Sequence, residues 1–167
     1  MKPVETRNIA LIDYSRTGIT QRLSIQLTES LLPARVIHIE PYRHYRGLGG
    51  FLRAARESRG TKDPVVYPPK PELDLSQYDL VIVAGPVWAG HIASPLRSFI
   101  KQFGGNAKKT ALMITHGGET KYDKVLDELD ALLGVKRSFE LSVCSIDKDT
   151  DDKVEAFAAQ LLSTLEA

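Results

Sequence analysis

Residues Ile9 to Thr20 read IALIDYSRTGIT. The run Ile9-Ala10-Leu11-Ile12 is apolar and branched enough to be a buried strand, and within a few residues it gives way to Ser15-Arg16-Thr17-Gly18-Ile19-Thr20. A strand, a hydroxyl-rich turn and a helix start make a site suited to phosphate. The first turn of a helix carries unpaired backbone N–H groups and the positive end of the macrodipole, both aimed into the preceding turn. Ser15, Thr17 and Thr20 add hydroxyl donors, and Gly18 removes the Cβ that would keep the backbone from wrapping an anion. Ser and Thr before a helix also serve as ordinary caps, and that reading stands beside the phosphate one. The Lys-Ser/Thr pair of a P-loop and the Gly-x-Gly-x-x-Gly dinucleotide pattern are both missing. Three hydroxyls with one Gly suit a phosphate monoester better than a pyrophosphate.

Outward from this stretch, Ile19, Leu23, Leu27 and Leu31 recur every fourth residue, the stripe of an amphipathic helix that Pro33 stops. Arg35 to Glu40 alternates as a second strand. Tyr78 to Ala84 is a continuous apolar run, as expected of a central parallel strand buried on both faces. It leads into a Gly-rich loop, Gly85-Pro86-Val87-Trp88-Ala89-Gly90-His91. Ser94 reads as the cap of a helix with Pro95 at its first position and Gly104-Gly105 at its end. Lys109 to Thr115 is a fourth strand, running into His116-Gly117-Gly118. A helix carrying Val125, Leu126, Leu129, Leu132 and Leu133 follows, then a fifth strand from Arg137 to Ser145 and a last helix from Asp151 to Leu165.

Strands and helices that alternate in this way predict an α/β fold, a parallel sheet covered on both faces and joined by right-handed crossovers. Ligands of such sheets sit off the carboxyl ends of the strands. The three unusual strand ends, SRTGIT, GPVWAGH and THGG, all fall on that edge. A simpler account of the two Gly-rich ones is that they are turns needing positive φ.

The 167 residues, 43% hydrophobic and 26% charged, suit a single domain spanning 1–167. A net charge of +1 gives no global reason to expect nucleic acid or a membrane surface. Met1 to Arg7 is polar and the apolar run after it is too short for a signal or a membrane span, so the expectation is a cytoplasmic protein without membrane insertion. The lone Cys144 excludes an internal disulfide and reads as a core residue. Asp147 to Asp152 imitates a calcium loop but lacks the required Gly and the closing Glu, so no metal site is assigned. These acids suit the start of the last helix.

With these motifs in place, the sequence resembles the flavodoxin-like family of FMN proteins over essentially its whole length. The family's Ser/Thr-x-Thr-Gly-x-Thr phosphate loop is matched by Ser15 to Thr20. The resemblance implies a doubly wound, five-stranded parallel sheet of order 2-1-3-4-5 in three α/β/α layers, with FMN at the switch between the first and third strands. It also implies that Ser15, Arg16, Thr17, Gly18, Ile19 and Thr20 hold the phosphate. Pro86, Val87, Trp88, Ala89, Gly90 and His91 would flank the isoalloxazine on one side, and His116, Gly117 and Gly118 on the other. Ile19 stands where the family often has Asn, so one polar contact is absent.

Trp88 could cover a ring face or anchor its loop to the sheet, and His91 and His116 could donate protons or simply hydrogen-bond their loops. No Ser-His-Asp or Cys-His set is spaced for covalent catalysis. In the first half of the stretch between the second and third strands, Pro41 to Lys62, Arg43, Arg46, Arg53, Arg56, Arg59 and Lys62 stand against one acid, Glu57. A helix from Gly50 to Ser58 would align Arg53, Arg56 and Arg59 as a guanidinium stripe, either a solvated face or a patch for an acidic redox partner or for nicotinamide dinucleotide phosphates. The Pro-rich connector from Val65 to Pro71 follows and could overhang the flavin edge.

The leading expectation is an FMN-binding redox carrier serving a redox partner protein. An NAD(P)H-dependent reductase of quinones or FMN, with a small quinone-like acceptor, is the alternative. A cofactor-free receiver-like regulatory domain is the third, disfavoured because Asp13 is the only acid at the end of the first strand. Both a monomer and a homodimer remain open.

Overall fold

A computed structural model describes residues 6–60, 62–118 and 122–166. The first residues of the polar lead-in, 1–5, lie outside that range. The chain runs β1 (Arg7–Asp13), α1 (Ile19–Leu31), β2 (Pro33–His38), α2 (Gly47–Arg59), β3 (Leu80–Trp88), β4 (His91–Ile92), α3 (Ser94–Phe103), β5 (Thr110–His116), α4 (Asp123–Leu133), β6 (Phe139–Cys144) and α5 (Thr150–Leu165).

Five parallel strands lie in the order β2-β1-β3-β5-β6. This is the expected order with one insertion, because β4 pairs antiparallel with the end of β3 and makes the sheet six-stranded. Right-handed crossovers explain the layers. The path steps one way from β1 to β2 and then back across β1 to β3, β5 and β6, so α1 lies on one face and α2, α3 and α4 on the other. α5 fills the remaining half of the first face, beside α1. Alternation along β1 divides its side chains between two cores. Ile9 and Leu11 pack with Leu23, Leu27, Phe157 and Leu161, whereas Ala10 and Ile12 pack with Leu96, Phe99, Leu126 and Leu129. Buried Cys144 closes β6. Among the described residues, no helix is long and apolar enough to cross a membrane.

Three local expectations are corrected. α2 begins at Gly47, one turn before the predicted Gly50, which lies inside the helix and so close to the chain at Tyr45 that a Cβ there would stand 2.4 Å from the Tyr45 carbonyl carbon. Ser94 does not cap α3. Ala93 occupies that position, and the buried Ser94 hydroxyl lies 3.4 Å from the Tyr45 hydroxyl. The Pro-rich connector starts beside the chain that follows β2 and runs away from the carboxyl edge of the sheet. Its Val66 bridges Pro41, with the Tyr42 N–H donating to the Val65 carbonyl at 3.0 Å, and Pro68 and Pro69 reach the C-terminal end of α3 beside Gln102 and Phe103.

Candidate functional site: a cleft at the carboxyl edge of the sheet

β1, β3 and β5 are adjacent and parallel, so their carboxyl ends meet at the point where the strand order reverses. A cleft of about 150 Å³ opens there. Its walls are Ser15, Arg16 and Thr17 from the turn after β1, Ile19 and Thr20 from the start of α1, Pro86, Val87 and Trp88 from β3, and Thr115 and His116 from β5 with Gly117 just past it. Ser145, just past β6, completes it. Three separate predicted stretches are thus brought together.

The turn opens α1 without any side-chain cap. Gly18 holds the cap position at φ 91°, in the left-handed region, and the first turn of α1 contains no acidic residue. The Ser15 hydroxyl oxygen accepts a hydrogen bond from the Gly18 N–H at 3.0 Å, which closes the turn and leaves the hydroxyl proton available. Thr17 is exposed. Thr20 is buried, and its Oγ1 shares a 2.8 Å hydrogen bond with Thr115 Oγ1, so it ties α1 to β5 as well as lining the cleft. Arg16 is turned aside: its Nε donates to the Tyr45 carbonyl at 2.8 Å, and its guanidinium lies 5.6 Å from the Phe51 ring centroid.

The expected loop from Gly85 to His91 is instead the tip of a hairpin. Ala89 (φ 51°) and Gly90 (φ 81°) are both left-handed, the two-residue turn whose twist suits paired strands, so β3 stays extended to Trp88 and returns through His91. This moves His91 out of the cleft to the outer strand, where its Nδ1 is 3.7 Å from Glu128. Trp88 remains in the wall and is held edge-on by Tyr14 (5.5 Å) and Tyr45 (5.0 Å). It is therefore both an anchor of the hairpin and a half-buried surface beside the cleft. Gly18, Ala89, Gly90 and Gly118 frame the cleft through backbone geometry and do not line it.

His116 has both ring nitrogens occupied. Nδ1–H donates to the Gly118 carbonyl at 2.6 Å, and Nε2 shares a 2.8 Å hydrogen bond with the Ser142 hydroxyl. This arrangement holds the loop after β5.

Beneath the hairpin, the Tyr45 hydroxyl donates to Glu57 Oε2 at 2.5 Å, and the Arg53 guanidinium lies 4.4 Å over the Tyr45 ring. Burial, and then the hydrogen bond to Glu57, push the Tyr45 phenol up to about 12. Because this value is raised above the ordinary 10, the contribution to stability is intact below pH 10 and is lost as pH rises through 12. Tyr45→Phe is expected to flatten that alkaline decline, as read from denaturant midpoints across the pH range. Behind the turn, Asp13 is buried, and burial raises its carboxyl above the usual range while the hydrogen bond from His38 Nδ1 (2.6 Å) opposes that shift.

Thr115 and Ser145 are site residues that the sequence reading missed. The carboxyl-end rule could have found them, since both stand at the ends of predicted strands. Tyr45 and Glu57 carry no such signal.

A parallel sheet in this order, with an uncapped helix start at its switch point, is the flavodoxin-like class of α/β fold. Solved structures share it. A provisionally assigned flavoprotein from Bacteroides eggerthii DSM 20697 superposes with a TM-score of 0.74 at 17% identity, covering 98% of this chain and 99% of its own. A flavoprotein from Lactobacillus acidophilus NCFM, solved in complex with FMN, gives 0.67 at 17% identity over 92% and 99%. A flavodoxin from the domain Archaea gives 0.56 at 11% identity over 95% and 99%. No protein-family model matches the sequence. No curated protein matches it either.

Proposed function

We propose that this chain binds FMN non-covalently in the cleft and transfers electrons through it. The observation that carries this reading is the uncapped start of α1 at the switch point, with Gly18 left-handed and no acid in the first turn. Those N–H groups lack helical acceptors, and an anion satisfies them. The donor set fits a phosphate monoester: the Ser15 and Thr17 hydroxyls and the first-turn backbone would hold it, with Thr20 fixing the position of the turn through Thr115. Trp88 and the His116-Gly117 segment line the same cleft, where a flat ring attached to that phosphate would lie. When bound, the flavin supplies electron and hydride chemistry. The chain supplies orientation, with Trp88 of the hairpin held by Tyr14 and Tyr45 in the wall of the cleft. That a flavoprotein of the same fold was solved with FMN supports the choice of cofactor.

The test is a visible absorption spectrum of the purified protein before and after FMN is added. Flavin bands that co-purify, or that appear with quenched fluorescence, are expected. Absence of binding at micromolar FMN would overturn the reading. Anaerobic NADPH then separates a carrier from a reductase: a carrier stays yellow, and rapid bleaching identifies an NAD(P)H-dependent reductase.

A further inference from the structure

The basic segment is not the guanidinium stripe that its spacing suggests. Arg53 is folded over Tyr45, donates to the His44 carbonyl at 2.8 Å, and pairs with Glu57 at 3.7 Å. The one acid of the segment is thereby turned inward. α2 packs onto the protein through the small residues Gly50, Ala54 and Ser58. Its outward side carries Leu48, Phe51, Leu52 and Ala55, the i, i+3, i+4, i+7 stripe of an amphipathic helix. This stripe points to solvent: Leu48 is 76% exposed, Phe51 54% and Leu52 61%. Arg46, Arg56 and Arg59 flank it, all exposed, with exposed Arg43 and Lys62 on the segments to either side.

We infer that the outer face of α2 docks on an anionic phospholipid surface, with Leu48, Phe51 and Leu52 entering the headgroup boundary and the surrounding arginines meeting lipid phosphates. An apolar ridge with cations on its flanks is the pattern of a helix lying in a membrane interface. Charge complementarity favours this occupant. Pro41 to Lys62 holds six cations against one acid, and the rest of the chain holds 16 cations against 20 acids, so the basic excess of the chain is concentrated in the segment that carries α2. A second copy meeting this face would bring the same excess of exposed arginines against it. The clefts beside α2, lined by Arg46 with Tyr45 and by Arg53 with Tyr42, do not include the three apolar residues. A ridge of this kind suits a deformable surface more than a shaped protein groove. The inference stands independently of the flavin reading.

The test is sedimentation of the full chain with vesicles of phosphatidylcholine and phosphatidylglycerol, and with phosphatidylcholine alone. Binding to the anionic vesicles, weakened by salt, is expected. Leu48→Ser/Leu52→Ser and Arg56→Gln/Arg59→Gln should each reduce it by about tenfold or more while leaving the thermal midpoint and FMN titration unchanged. No sedimentation at low salt would overturn the proposal. So would adsorption that the leucine variant leaves intact, because that is charge attraction alone. Salt-sensitive binding to poly-L-glutamate with none to vesicles would also overturn it, in favour of an acidic protein.

Discussion

Ile19→Asp is expected to raise the stability of the free protein slightly while weakening FMN binding by about a hundredfold or more. Ile19 is the first residue of α1, is 39% exposed, and lines the cleft. A carboxylate there complements the positive end of the helix and is worth about 0.3–1 kcal/mol. The same carboxylate competes with a phosphate that is close to a dianion at neutral pH. Like charges about 4 Å apart near a protein surface repel by about 4 kcal/mol per unit pair before screening. Opposite signs for the two effects make the result diagnostic, because general damage to the fold would lower both. Urea midpoints and titration of flavin fluorescence read them separately. FMN affinity that does not change would show that the phosphate lies elsewhere.

Arg97→Met should cost about 3 kcal/mol or more of folding stability. Arg97 is 6% exposed and lies where α3 meets the end of α2. Its Nε donates to Asp63 at 2.7 Å, Nη1 to the Ser58 carbonyl at 3.0 Å and Nη2 to the Glu57 carbonyl at 2.8 Å. Methionine fills much of the volume but leaves both carbonyls at the end of α2 without this donor. Lys101 offers the contrast. It pairs with the same Asp63 at 2.7 Å but from a half-exposed position, so Lys101→Met should cost at most about 1 kcal/mol. Burial opposes ionisation of Asp63, yet the hydrogen bonds from Lys101 and Arg97 hold its carboxyl below 3.8. This contribution is therefore present above that pH and disappears as acid titrates the group, and the acid sensitivity should be smaller in Arg97→Met. Chemical denaturation of both variants at neutral and acid pH measures all of these effects. Equal, small losses from the two substitutions would show that the Arg97 network does not hold α2.

Which parts of the molecule are legible in the sequence depends on the range of the forces involved. Every parallel strand and every α-helix among the described residues was predicted, with ends displaced by a few residues, because apolar period and turn chemistry are local properties of the chain. Leu23, Leu27 and Leu31 announce α1 whatever they later touch. The walls of the cleft were also largely visible, since strand ends in an α/β sheet share one edge. β4 was not visible. A two-residue strand has no period of its own and exists only through its pairing with Val87 and Trp88.

Side-chain occupation was the least legible, and Arg16, Arg53 and His91 show why. In sequence all three belong to candidate binding groups; in the folded protein Arg16 clasps Tyr45, Arg53 covers it, and His91 sits near Glu128 on the outer strand. These partners are 29, 8 and 37 positions away along the chain, as the numbering shows. The sequence by itself determined the alternation of strands and helices and the hydroxyl-rich turn at Ser15 to Thr20 that opens α1, because backbone hydrogen bonding and period act over one or two turns. Only the tertiary structure decided which cations stay exposed, which hydroxyls are engaged and that the leucines of α2 face outward, because each of those outcomes is set by close packing between elements remote in the chain.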